Sequence, residues 1–240
     1  MAEYMQLSVI IPTLNEEQNI VELLSLLQVG LRNTTYEIIV VDASSVDQTR
    51  QVASNLGAIV LSCNKKCRAQ QMNDGVAIAK GDILYFVHAD SRPPNGFLND
   101  IFQALDEGFD MGCFRFRFDS KKIVLKINSY FTRFDFEVCR GGDQTLFIKR
   151  KEFNIMGGYN PNYRIMEEYD FMRKARKQLK FKIIPKDVVV SARKYEENSY
   201  FRVNLANFIV FNLYRGGASQ EKLISTYKSM LNHRKPEALI

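Results

Sequence analysis

Short apolar runs alternating with helical periodicity dominate the first 94 residues, and they leave this chain few ways to fold. Leu7-Ser8-Val9-Ile10-Ile11-Pro12-Thr13, Glu37 to Val41, Ala58 to Leu61 and Leu84 to Val87 are strand-length and rich in β-branched residues. Asn15-Glu16-Glu17 then opens a helix to about Leu31, with Asn15 as cap, an acidic first turn and apolar residues at Ile20, Leu23, Leu24 and Leu27. Ser44, Ser45 and Asp47 open a second helix through Val52 and Leu56, and Arg68 to Ala79 forms a third, stopped near Gly81. Such alternation predicts an α/β fold with a parallel, doubly wound sheet. Ligands of such sheets sit beyond the carboxyl ends of the strands. Those ends carry Thr13 to Glu16, Asp42, and His88-Ala89-Asp90.

The last of these runs is the most informative. Four apolar residues lead into His88 and Asp90, and Pro93-Pro94 then prevents the strand from continuing. In extended backbone, residues two apart point the same way. An imidazole and a carboxylate so placed can hold a divalent metal, and a metal can hold a diphosphate. From these residues alone, a helix cap beside a buried neutral histidine explains the pair equally well.

The second half reads differently. Asn95 to Leu105 is helical, and Met111 to Phe118 alternates like a strand, with Phe114, Phe116 and Phe118 on one face, more a core pattern than a stacking platform. A helix over Ile123 to Thr132, a turn at Gly141-Gly142-Asp143-Gln144, a strand over Thr145 to Lys149 and a turn at Gly157-Gly158-Tyr159 follow. Glu167 to Gln178 is helical, Phe181 to Ile184 is a strand, and from Ser199 two helices break at Gly216-Gly217. No repeat or linker interrupts the 240 residues. One continuous domain is expected: a ligand-binding half (1–94), a second half (95–198) and a helical tail (199–240).

Composition narrows the function. With 46% hydrophobic and 25% charged residues the chain is an ordinary globular protein, and no apolar run approaches the roughly 18 residues of a membrane span. The N-terminus lacks a charged-then-apolar leader, and Cys63, Cys67, Cys113 and Cys139 fit no zinc spacing, so free thiols in a reducing cytoplasm are expected. A net charge of +6 suits phosphorylated ligands, anionic membranes or nucleic acid. The basic stretches are short and carry no interleaved aromatics, so nucleic acid is not expected as a partner. Leu205 to Tyr214, flanked by Arg202 and Arg215, is apolar enough for peripheral contact with a membrane. Packing on the sheet or a homodimer contact explains that stretch as well.

There is no Gly-x-Gly-x-x-Gly and no Walker lysine, so phosphates need a metal and cationic side chains, Arg68 among them. Five segments in order do carry a family resemblance: Ser8 to Glu17, Val40 to Thr49, His88-Ala89-Asp90, Gly142-Asp143-Gln144 with Gly157-Gly158-Tyr159, and Glu167-Glu168. Together they resemble the family 2 glycosyltransferases of GT-A fold. Arg68 to Asn73, Ser191 to Lys194, and Asn207 to Tyr214 with Arg215-Gly216-Gly217 narrow the likeness to a bacterial subgroup of small soluble members, largely of unassigned acceptor.

The resemblance implies a GT-A architecture, a Rossmann-like mostly parallel sheet with a mixed acceptor-side half and a helical tail. It implies a nucleoside-diphosphate sugar donor, an unassigned hydroxyl acceptor and inversion at the anomeric carbon, with Mn²⁺ or Mg²⁺ bridging the donor phosphates. By the same likeness Pro12, Thr13 and Glu16 would contact the nucleoside, Asp42 the base, and Arg68 the diphosphate. Asp90 would bind the metal, with His88 standing where the family carries another acid. Gly142, Asp143 and Gln144 would shape the acceptor pocket, and Glu168, with Glu167 beside it, would deprotonate the acceptor. Two rivals follow: a non-catalytic nucleotide-sugar-binding protein, and a nucleotidyltransferase, which would need a glycine-rich loop where Asn15-Glu16-Glu17 stands.

Overall fold

A computed structural model describes residues 7–32, 34–137 and 144–232. The ligand-binding half supplies β1 (Leu7–Thr13), α1 (Glu17–Gly30), β2 (Tyr36–Asp42), α2 (Thr49–Asn55), β3 (Ile59–Ser62), α3 (Arg68–Ile78), β4 (Ile83–Phe86) and a two-residue strand, β5 (Ser91–Arg92). Next come α4 (Phe97–Asp106), β6 (Met111–Phe118), α5 (Ile123–Tyr130) with a 3-10 turn at Phe131–Arg133, β7 (Leu146–Lys149) and α6 (Arg150–Ile155). The chain then forms α7 (Glu167–Ala175), β8 (Phe181–Val190), α8 (Lys194–Glu197), α9 (Tyr200–Arg215) and α10 (Gln220–Met230).

All the strands join one sheet in the order β3-β2-β1-β4-β7-β6-β8-β5. β1 to β4 are parallel, as the alternation predicts. β7 then runs antiparallel to both β4 and β6, and β8 runs parallel to β6. β6 and β8 therefore point the same way as β1 and β4. The carboxyl ends of all these strands, and the amino end of β7, lie along one edge of the sheet.

Strand alternation sorts the core into two layers. Val9, Ile11, Val40, Tyr85 and Phe147 pack with α1 and α4 on one face. Ile10, Ile39, Val41, Phe86 and Ile148 pack with α3, α6 and α7 on the other. Burial on both faces explains why β1 is apolar at every central position, Val9 to Pro12. Gly75 lets α3 lie close to the sheet, since a Cβ there would sit 2.7 Å from Ile10 Cγ2 and 3.1 Å from Val41 Cγ2.

Several sequence expectations are corrected. Asn15 does not cap α1; it takes a left-handed conformation (φ 54°), and its Oδ1 accepts the Val46 N–H instead. α2 starts at Thr49, not at Ser44, because Asp42 draws Ser45 back toward β2 and Asp47 accepts the Thr49 N–H. A two-residue strand, β5, that the sequence pattern does not mark pairs with β8 and stops at Arg92, directly before Pro93-Pro94. β8 continues past Ile184 to Val190 through a bulge that absorbs Pro185, which costs no ladder bond there. α6 and α8 were not anticipated. Of the Phe114, Phe116 and Phe118 face, Phe114 is fully buried, whereas the other two are only half-buried.

Candidate active site

A cavity of about 1010 Å³ opens at that shared sheet edge. On one wall are Pro12, Thr13, Glu16, Arg68, His88 and Asp90. Glu167 and Glu168 line it as well, and opposite lies an aromatic wall that includes Phe116, Phe118, Phe131, Tyr195 and Phe208. Small-molecule pockets span about 300–1,000 Å³, so this one lies at the upper end of that range.

The strand ends build the first wall. β1–β2 register places Thr13 beside Asp42, and Thr13 Oγ1 donates to Asp42 Oδ2 at 3.0 Å. Ser45 donates its N–H to Asp42 at 2.8 Å and its hydroxyl at 2.5 Å. Asp42 is thus fully buried and bonded within the protein, and it is Ala43 that faces the cavity. Gln71 of α3 donates to the carbonyls of Thr13 and Val41, locking α3 to the ends of both strands.

Arg193, just past β8, closes this wall. Its guanidinium forks onto Glu16 at 2.9 and 3.2 Å and reaches Asp90 at 3.1 Å. Burial works against the Arg193 charge, but the bonds to Glu16 and the field of Asp90 outweigh it and raise its pKa. This arginine was given no role from sequence. Its signal was a basic residue just beyond a strand whose length had been underestimated.

α7 presents the two glutamates. Met166, directly before it, is held left-handed (φ 68°), a conformation sparsely used by non-glycine residues and found at sites where geometry is fixed by its surroundings. The tail supplies those surroundings. Ile165 packs with Val210, Tyr214, Leu223 and Ile224, and Gln220 accepts from the Arg164 and Ile165 N–H groups. Glu168 Oε1 lies 3.1 Å from His88 Nε2. Glu167 is almost wholly buried, with Arg68 Nε 3.7 Å away. Burial raises the Glu167 pKa; Arg68 opposes that shift and Glu168 adds to it.

Of the residues singled out from sequence, then, Pro12, Thr13, Glu16, Arg68, His88, Asp90, Glu167 and Glu168 meet at one cavity. Asp42 and Gln144 are buried and are not part of that lining. Gly142 and Asp143 lie outside the described residues. Among the described residues no group of three or more histidine, cysteine or acidic side chains is placed to hold a metal. Asp90, partly exposed to the cavity, is the carboxylate there that would be open to a cation.

The curled mixed sheet flanked by helices, with this cavity at its carboxyl edge, has the GT-A fold of solved glycosyltransferases. The chain belongs to glycosyl transferase family 2, whose model matches residues 8–181. It is 32% identical over 112 residues to a dolichol-phosphate mannosyltransferase of Pyrococcus furiosus, covering 45% of this chain and 32% of that protein. It is 34% identical over 110 residues to the poly(ribitol-phosphate) β-N-acetylglucosaminyltransferase TarS of Staphylococcus aureus, covering 43% of this chain and 19% of TarS. The match thus spans under a third of the length of either relative. Among solved structures, the mannosyltransferase PcManGT of Pyrobaculum calidifontis, in complex with GDP-Man and Mn²⁺, superposes with a TM-score of 0.66 at 18% identity, covering 99% of this chain and 73% of that one. S. aureus TarS 1-349 with UDP superposes at 0.64 and 18% identity, covering 96% and 72%. Among the described residues no helix is long and apolar enough to cross a membrane.

Proposed function

We propose that this chain transfers a sugar from a nucleoside-diphosphate donor to an acceptor hydroxyl, with inversion at the anomeric carbon. The observation that carries this reading is the placement of Glu168 in the wall of the same cavity as Asp90, Glu16 and Arg68. The strand-end wall takes the nucleotide, with Pro12, Thr13 and Glu16 toward the nucleoside and Arg68 toward the diphosphate. Asp90 would hold a divalent cation, Mn²⁺ or Mg²⁺, which when bound would supply charge stabilisation for the leaving diphosphate. Arg193 is shared between Asp90 and Glu16, so it orients the carboxylate before any cation is taken up.

Glu168 is the general base. It takes the proton of the acceptor hydroxyl as the oxygen attacks the anomeric carbon, and the bond to the diphosphate breaks on the opposite face. One base suffices for this direct displacement. His88 holds Glu168 through Nε2 and acts as a positioning residue. Glu167, almost wholly buried and facing the Arg68 guanidinium at 3.7 Å, is the weaker candidate for the base. Donor complexes of structural neighbours with UDP, UDP-GlcNAc and GDP-Man support a nucleotide-sugar donor.

Thermal shifts against UDP- and GDP-sugars, with and without Mn²⁺, identify the donor, because a ligand that binds only the folded state raises its stability. With that donor, Glu168→Gln should lower kcat about 10²- to 10⁴-fold while leaving donor affinity nearly unchanged. Asp90→Ala should remove the Mn²⁺ dependence of donor binding in calorimetry. Full turnover by Glu168→Gln would end the assignment of the base. Tight donor binding with no transfer to any acceptor and no effect of Glu168→Gln would make the chain a nucleotide-sugar-binding protein instead.

A further inference from the structure

Exposed apolar side chains on this molecule are not scattered. Among the described residues, nine of fifteen large exposed hydrophobics fall in two segments, 123–136 and 201–208. On α5, Ile123 and Ile127 are 73% and 53% exposed, one helical turn apart. Tyr130, Phe131, Phe134 and Phe136 continue the surface as a train of rings with centroids about 6 Å apart. On α9, Phe201, Leu205 and Phe208 recur at i, i+4 and i+7 and are 79%, 54% and 62% exposed.

The two segments form one surface. Leu125 of α5 packs with Val203 and Ala206 of α9, and Asn128 donates to Asn204 at 3.1 Å across the joint. α9 therefore carries apolar side chains on its open face as well as its buried one, with Arg202, Asn207, Asn212 and Arg215 exposed beside them. A contiguous exposed apolar patch marks a site of protein or membrane contact. Phe131, Phe136 and Phe208 also line the cavity, so the surface is the cavity's outer rim.

Charge says what covers it. Residues 121–134 include Lys121, Lys122, Lys126 and Arg133 and no acid, and residues 199–219 include Arg202 and Arg215 and no acid. Asp135, the next acid along, is paired with Arg176. Arg133 stacks on Tyr130 with its guanidinium carbon 3.6 Å from the ring centroid. Aromatic and aliphatic side chains interleaved with lysine and arginine match an anionic lipid surface, where rings enter the headgroup boundary and cations meet the phosphates. A second copy fits less well. A two-fold contact sets a patch against itself, and here cation would face cation.

We infer that the α5–α9 rim docks on an anionic lipid bilayer, seating the cavity mouth at the membrane surface. The docking needs no donor and stands apart from the proposed transfer. Co-sedimentation of the full chain with phosphatidylcholine vesicles, with and without phosphatidylglycerol, tests it. Binding should require the phosphatidylglycerol and weaken as salt rises. Neither Phe201 nor Leu205 lines the cavity, and the double variant Phe201→Asp, Leu205→Asp should weaken binding by about tenfold or more. Lys126→Ala should weaken it about fivefold. Circular dichroism confirms that both variants fold. Absence of binding to the anionic vesicles, or a folded double variant that binds like the wild type, overturns the inference. So does wild-type protein that ignores vesicles but dimerises in sedimentation velocity through the same residues. Because no sugar donor is present, failure of transfer leaves this result untouched.

Discussion

The two walls of the cavity are built on opposite plans. The strand-end wall is assembled from parallel strands, and its polar groups are bonded to one another: Thr13 and Ser45 to Asp42, Gln71 to two carbonyls, Arg193 to Glu16 and Asp90. The opposite wall hangs on α5, α9 and the end of β6, and its contacts are aromatic and partly open to solvent. A buried polar network rigidifies because each unmade bond is costly, whereas exposed rings can shift at little cost. On the proposed reading the fixed wall takes the nucleotide and the looser one the acceptor.

The sharpest way to break this contrast is Asp42→Ala. It strips the acceptor from Thr13 Oγ1 and from both donors of Ser45 in a fully buried setting. Unsatisfied buried donors cost about 1–3 kcal/mol, so the variant should lose about 2–3 kcal/mol in urea unfolding, and donor affinity should fall with it. A variant of wild-type stability that has lost donor binding would mean that Asp42 turns outward to the nucleobase, and that the wall is less rigid than its bonds imply.

The same contrast decides what was legible in the sequence. β1 and β4 could be read because residues buried on both faces are nearly all apolar, and the polar residues that follow them mark the sheet edge. The meeting of Thr13, Glu16, Arg68, His88, Asp90, Glu167 and Glu168 was legible through ordered motifs and not through local pattern. Arg193 was not, because its partners are 177 residues away at Glu16 and no local periodicity marks such a contact. The left-handed turns at Asn15 and Met166 were missed for a related reason: tertiary bonds, to Val46 at one and to the tail at the other, hold a backbone that local propensity disfavours. The aromatic rim was visible as composition, but only packing showed which rings face out.

Glu167→Gln probes the seam between the walls. Burial raises the Glu167 pKa above 4.5, its ordinary value, so the folded state binds this proton more tightly than the unfolded chain does. The resulting stability is fully present below pH 4.5 and is lost as the pH rises through the folded-state value. Wild type should therefore lose stability over that interval in a way that Glu167→Gln does not, read as diverging melting curves across a pH series. The neutral amide also removes the charge that faces Arg68 at 3.7 Å, so any gain is smaller than the burial cost alone. Parallel pH profiles for the two proteins would show that Arg68 fully offsets the burial of this carboxylate.

The smallest structural effect is expected on the aromatic wall, and there its functional meaning is greatest. Phe136 is 58% exposed yet lines the cavity, and its ring meets Phe134 with centroids 5.9 Å apart. Phe136→Ala removes no buried bond and little buried area, so stability should stay within about 0.5 kcal/mol of wild type. If this wall receives the acceptor, KM for the acceptor should rise while donor affinity and kcat at saturating acceptor hold, the pattern of lost uniform binding. The mirror-image result, weaker donor binding with acceptor KM unchanged, would assign the aromatic wall to the nucleotide sugar and reverse the division of the cavity drawn from its two plans.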